Sequence, residues 1–112
     1  MTPRLKAEFW VKAHIRRCRV HDVMATLVRR GDESAGAVLI KLNWLDGRAA
    51  VLTQTRGAEG DLVWLQATGA EPVSEADADA YIARQLRVDS DLWVVEIEDR
   101  AGRHCLDEPI RI

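Results

Sequence analysis

Two runs of β-favouring residues on either side of an Asp-Gly pair constrain this chain more than any other feature. Ala37 to Asn43 is rich in Val, Leu and Ile, and Ala49 to Thr55 continues the same character. Asp46-Gly47 lies between them. A type I′ turn needs positive φ at both central residues, and Asp-Gly supplies that at low cost, so the segment is expected to form a β-hairpin. Gly57 to Asp61 reads as a further turn, and Leu62 to Ala67 as the next strand. The middle of the chain is therefore expected to be an antiparallel meander.

Helical patterns flank it. Over Arg4 to Arg19, Ala7, Trp10, Val11, His14, Ile15 and Cys18 share one face at 100° per residue. Lys12, Arg16 and Arg19 share the opposite face. Glu8 precedes Lys12 by four residues, the favourable order for an ion pair, and Pro3 suits the approach to a helix start. Ala25 to Arg30 is read as a strand, with helical continuation as the alternative. Gly31, Asp32, Glu33, Ser34 and Gly36 form a turn. After the polar stretch Thr68 to Pro72, Ser74 and Asp77 resemble a capping box. Val73 is placed to staple against Ala78. The second helix then runs to about Arg87, with Ala78, Tyr81, Ile82 and Leu86 inward. Leu92 to Glu98 is a strand with Trp93, Val95 and Ile97 inward and Val94, Glu96 and Glu98 outward. Gly102 turns the chain into a short strand near His104 to Leu106. This order predicts an α+β fold of two layers, an antiparallel meander of four to six strands with both amphipathic helices packed on one face.

The chain has 112 residues, 47% hydrophobic and 30% charged. That length suits a single domain spanning residues 1–112 with one modest core. Met1 to Trp10 carries Arg4, Lys6 and Glu8 and lacks the apolar stretch of a signal peptide. The longest clearly apolar run, Ala35 to Ile40, is far short of the ~20 residues a membrane helix needs. The two cysteines, Cys18 and Cys105, are expected to be reduced in a cytoplasmic protein.

Three stretches carry a resemblance. Lys6-Ala7-Glu8-Phe9-Trp10-Val11 with Arg16-Arg17-Cys18 forms the opening. Gly36-Ala37-Val38-Leu39-Ile40-Lys41 through Asp46-Gly47 forms the middle. Leu92-Trp93-Val94-Val95-Glu96-Ile97-Glu98-Asp99-Arg100-Ala101-Gly102-Arg103 forms the close. Together they resemble a family of short bacterial proteins of unknown function over nearly the whole chain. The resemblance implies a compact bacterial domain and brings no activity, cofactor or catalytic residue with it.

Few constellations point to chemistry. His14, Cys18 and His21 follow i, i+4, i+7 spacing, and imidazole and thiolate are good zinc ligands, with His104 or Cys105 available to complete a tetrahedron. Yet His14 and Cys18 fall within the apolar stripe of the first helix, where core packing is the commoner role. A Cys–His nucleophilic dyad would need exposure and a lowered thiol pKa, which the middle of an apolar face does not supply. Glu96 and Glu98 share a strand face and are read as solvated, with Arg100 or Arg84 as partners. Phosphate-binding loops and nucleophile elbows are absent, and no cofactor is expected.

Charge is unevenly distributed. Residues 1–30 carry eight basic and two acidic side chains, and the rest carries sixteen acidic and eight basic. The first helix lying across an acidic sheet would account for this internally. Alternatively, Lys12, Arg16, Arg17 and Arg19 form a surface for an anionic partner. The four tryptophans are read chiefly as core or core-edge residues, with Trp44 beside the turn a candidate for exposure. The residues name no activity. The leading expectation is a non-enzymatic, homodimeric interaction module. The alternatives are a nucleic-acid-associated protein using the basic helix, and a small metal- or thiol-dependent enzyme.

Overall fold

The computed structural model describes residues 6–34 and 36–111, with the side chain of Arg56 left aside. The expected helix start at Arg4, with Pro3 before it, lies outside these residues. In chain order the elements are α1 (Ala7–Val20), β1 (Met24–Arg29), β2 (Val38–Asn43), β3 (Arg48–Arg56), β4 (Leu62–Gln66), β5 (Val73–Ser74), α2 (Glu75–Val88), β6 (Trp93–Glu98) and β7 (Ile110–Arg111). The strands form one sheet in the order β1-β6-β2-β3-β4-β7, with β5 paired to β3 beyond the end of β4.

The expected meander exists as β2-β3-β4, but the sheet as a whole is mixed. β6 inserts between β1 and β2, antiparallel to β1 and parallel to β2. β7 lies parallel to β4. Burial explains the insertion. Trp93, Val95 and Ile97 pack into one core cluster, and Leu92 and Val94 into another. A strand apolar on both faces requires cover on both, and a central position supplies it. Val94 is therefore buried rather than outward. β1, largely exposed along its length, takes the edge.

The helices also depart from expectation: they cover opposite faces of the sheet, giving three layers. Ala7, Val11 and Cys18 of α1 pack with Val38, Ile40, Leu42, Trp64 and the Trp93 face of β6. Ala78 and Ile82 of α2 pack with Leu39, Ala49, Val51 and Val94. The alternation of β2 sends successive side chains to different helices, and all six of its residues are buried.

Local signals account for most boundaries. The Ser74 hydroxyl caps α2 by accepting from the Asp77 amide at 3.1 Å, and Val73 joins the apolar cluster of Ala78. α1 ends where Asp22 adopts φ 58°, and the Val23 amide reaches back to the Cys18 carbonyl at 2.8 Å. The β2–β3 hairpin forms, but its positive φ angles fall at Leu45 and Gly47 instead of at Asp46-Gly47. The Asn43 carboxamide oxygen accepts from the Leu45 amide at 2.8 Å and shapes this longer loop. Residues 104–106 form no strand; pairing begins only at β7.

The turn after β1 is a strap across the start of β6. The Asp32 amide donates to the Asp91 carbonyl at 3.0 Å, and Trp93 Nε1 donates to the Asp32 carbonyl at 2.7 Å. A Cβ on Gly31 would lie 2.6 Å from Trp93 Cδ1 and 2.7 Å from the Leu92 carbonyl carbon, and would also meet the Asp91 carbonyl oxygen. Gly31→Ala is therefore expected to cost about 2 kcal/mol in urea unfolding through overpacking. A loss below about 0.5 kcal/mol, the scale of a neutral surface change, would show that the strap moves aside freely.

Candidate functional site

The C-terminal segment runs along α1, and helical periodicity sets the contacts. Trp10 Nε1 donates to Glu108 Oε1 at 3.2 Å. One turn on, His14 Nε2 bonds the His104 carbonyl at 2.9 Å. A carbonyl only accepts, so Nε2 carries the proton. Arg17 Nη1 donates to the Cys105 carbonyl at 3.3 Å and pairs with Asp107 at 3.0 Å. His14 is also stacked on Trp10, ring centroids 4.8 Å apart. Burial lowers the pKa of His14 and of His104, which keeps both imidazoles neutral near pH 7.

Cys18 is fully buried in the apolar cluster against which Cys105 packs. Burial, reinforced by Cys105, pushes the Cys18 thiol up to about 12. Both cysteines are free thiols, and Cys105 is half-buried with φ 62°. Cys105 also lines a surface pocket of about 350 Å³ with His21, Arg103 and His104. The His14, Cys18 and His21 set is thus divided among three environments: a carbonyl partner, the apolar core and the pocket rim. Among the described residues, no group of three or more His, Cys, Asp or Glu is placed to hold a metal ion.

A second polar cluster lies on the other face, beneath the start of α2. Lys41 of β2, with its side chain 8% exposed, reaches Glu75 at 2.7 Å, Asp79 at 2.8 Å and Glu96 at 3.5 Å. Asn43 Nδ2 donates to Glu96 at 3.0 Å and to Glu75 at 3.3 Å. Burial alone would lower the Lys41 pKa, but the hydrogen bonds to Asp79 and Glu75 outweigh it and the net direction is up. The ammonium is thus a neutralised structural post, unlike the depressed-pKa lysines used as nucleophiles. Glu96, read from sequence as solvated and Arg-paired, is instead a partner of Lys41. The available signal was a Lys and an Asn in an otherwise apolar strand, since such residues are buried only with partners.

The basic residues of α1 do not share one environment. Lys12 pairs with Glu8 at 2.9 Å, and Arg17 is held at the C-terminal segment. Arg16 and Arg19 are exposed, and their side chains have no ion pair among the described residues. The face beneath α1 is apolar, while the Lys41 carboxylates lie on the α2 side of the sheet. The acidic-sheet explanation of the charge asymmetry therefore fails. Trp64 and Trp93 are fully buried and Trp10 and Trp44 partly so, which removes tryptophan content as an argument for an interface. No described helix is long and apolar enough to cross a membrane.

A mixed seven-stranded sheet with one helix on each face, a thiol-bearing seam along α1 and a buried lysine under α2 defines a compact α+β protein. The chain belongs to the DUF1491 family, described as a protein of unknown function, whose model matches residues 5–107. This agrees with the resemblance carried by its opening, middle and closing stretches. A crystal structure of a DUF1491 family protein from Caulobacter crescentus CB15 is 42% identical, with a TM-score of 0.86, over 96% of this chain and 99% of that one. An NMR structure of a DUF1491 family protein from the same organism is 42% identical, with a TM-score of 0.83, over 97% and 98%. The solution structure of a protein from A. tumefaciens is 31% identical, with a TM-score of 0.74, over 86% of each chain. No curated protein matches the chain.

Proposed function

We propose that residues 1–112 act as a single-domain, non-enzymatic interaction module of the cytoplasm, homodimeric through the free edge of β1. One observation carries this reading. Among the described residues, four of the seven exposed large hydrophobic side chains, Val20, Met24, Leu27 and Val28, cluster at β1 and the helix end leading into it. Val20 is 74% exposed, Met24 64% and Val28 57%. β1 is an edge strand, paired only with β6. An exposed apolar edge invites association. A second copy fits because one strand pairs antiparallel with itself about a two-fold axis, presenting the same patch from both sides. The irregularity between Leu27 and Arg29 confines regular pairing to the Met24 end.

Light scattering on eluting protein is expected to give a dimer that persists at high salt, and Met24→Lys is expected to give a monomer of unchanged fold. A wild-type protein that elutes only as a monomer removes the reading.

The exposure of Arg16 and Arg19 without ion pairs favours a second reading, contact of α1 with nucleic-acid phosphates. Lys12 and Arg17 would contribute less, because Glu8 and Asp107 hold them. That binding would weaken steeply with salt. Arg16→Glu with Arg19→Glu would abolish it and leave the β1 dimer intact.

A further inference from the structure

We infer that Cys105 and Cys18 form a two-thiol modification site. In it, Cys105 exchanges with a low-molecular-weight disulfide at the surface pocket, and Cys18 resolves the mixed disulfide. This goes beyond the β1 reading and does not depend on it. Cys105 lines the pocket, whereas Cys18 is fully buried. An external disulfide therefore reaches Cys105 first, and burial alone sets the order of events. Cys105 packs against the apolar cluster that contains Cys18, and the bonds from His14 and Arg17 to the carbonyls of His104 and Cys105 hold the two segments side by side.

The chemistry balances. The Cys105 thiol gives its proton to solvent, and the resulting thiolate attacks one sulfur of the small disulfide and breaks its S–S bond. One small thiolate leaves and takes a proton from solvent. Cys18 then gives up its proton and attacks Cys105 Sγ, breaking the mixed disulfide, and the second small thiolate leaves and takes up that proton. Two protein thiols are oxidised to one disulfide, and one small disulfide is reduced to two thiols. The surroundings make the second step the slower one. Cys18 lies against apolar core, and burial raises its pKa. Around Cys105, Arg17 and Arg103 are paired with Asp107 and Asp99, and His21 and His104 complete the rim. The product bond would join α1 to the C-terminal segment, alongside the bonds from Trp10, His14 and Arg17.

The test is a time course of the full-length, untagged protein with glutathione disulfide, read by intact mass and peptide mapping. Wild type is expected to show a transient glutathionyl adduct on Cys105, then loss of two hydrogens as the internal disulfide forms. The oxidised protein should melt at least about 5 °C higher, because the new bond closes a long loop. Cys18→Ala should stop at the stable Cys105 adduct. Folded Cys105→Ser should take no modification. The inference is overturned if Cys18 in Cys105→Ser reacts as fast as wild type. An unreactive wild type, or one that keeps its adduct without closing the disulfide, overturns it equally. The wild-type course decides the matter even if Cys18→Ala folds poorly.

Discussion

Trp93→Ala is expected to remove about 4 kcal/mol of stability in urea unfolding, a large fraction of what a domain of this size holds. Trp93 is 1% exposed in the cluster beneath α1. Its indole N–H reaches the Asp32 carbonyl at 2.7 Å, and the Arg30 guanidinium lies over the ring, 5.1 Å from its centroid. The substitution would leave a cavity in the centre of the sheet and release the strap that passes over β6. Trp64 provides an internal contrast. It is equally buried, but its Nε1 has no hydrogen-bond partner among the described residues. Conservative replacement by Phe should therefore cost less at Trp64 than at Trp93, since only Trp93 gives up a hydrogen bond. Equal losses would show that volume alone governs both sites.

Lys41→Met is expected to cost about 3 kcal/mol at pH 7. Removing one member of a buried ionic group leaves the others uncompensated, and the partial exposure of Glu75, Asp79 and Glu96 holds the figure at the lower end of its range. The pH dependence has a definite sign. The folded pKa of Lys41 lies above its ordinary value of 10.5. Its contribution is thus fully present below pH 10.5 and is lost as pH rises through the higher folded value. Wild type should lose stability along that alkaline limb, and Lys41→Met should lack it. Chemical denaturation across alkaline pH measures this limb, and an identical limb in the two proteins would show that Lys41 is not the group responsible.

Lys41 also shows why part of the chemistry was hidden in the sequence. Its partners come from β6 and from two turns of α2, more than thirty residues away. Only the parallel pairing of β2 with β6, which sets Lys41 beside Glu96, brings them together. The seam at α1 is similar. His14 and Cys18 were legible as inward residues on one helical stripe. That Cys105 packs against the cluster of Cys18, and that His14 is consumed by a carbonyl, depends on where the unpaired segment before β7 runs. Of the basic residues, Arg16 and Arg19 kept the expected exposure, while Lys12 and Arg17 found carboxylates one turn away and across the seam.

Periodicity, turn chemistry and capping are properties of a few neighbouring residues. The sequence by itself therefore determined the two helices, the cap at Ser74, the β2–β3–β4 meander and the inward residues of α1. Strand neighbours and the choice of helix face belong to the tertiary structure, because they follow from which apolar surfaces can be covered at once. Leu92 to Val95 is apolar at every position, so β6 moved to the centre of the sheet. With both faces of that sheet apolar, the helices had to separate, one to each side.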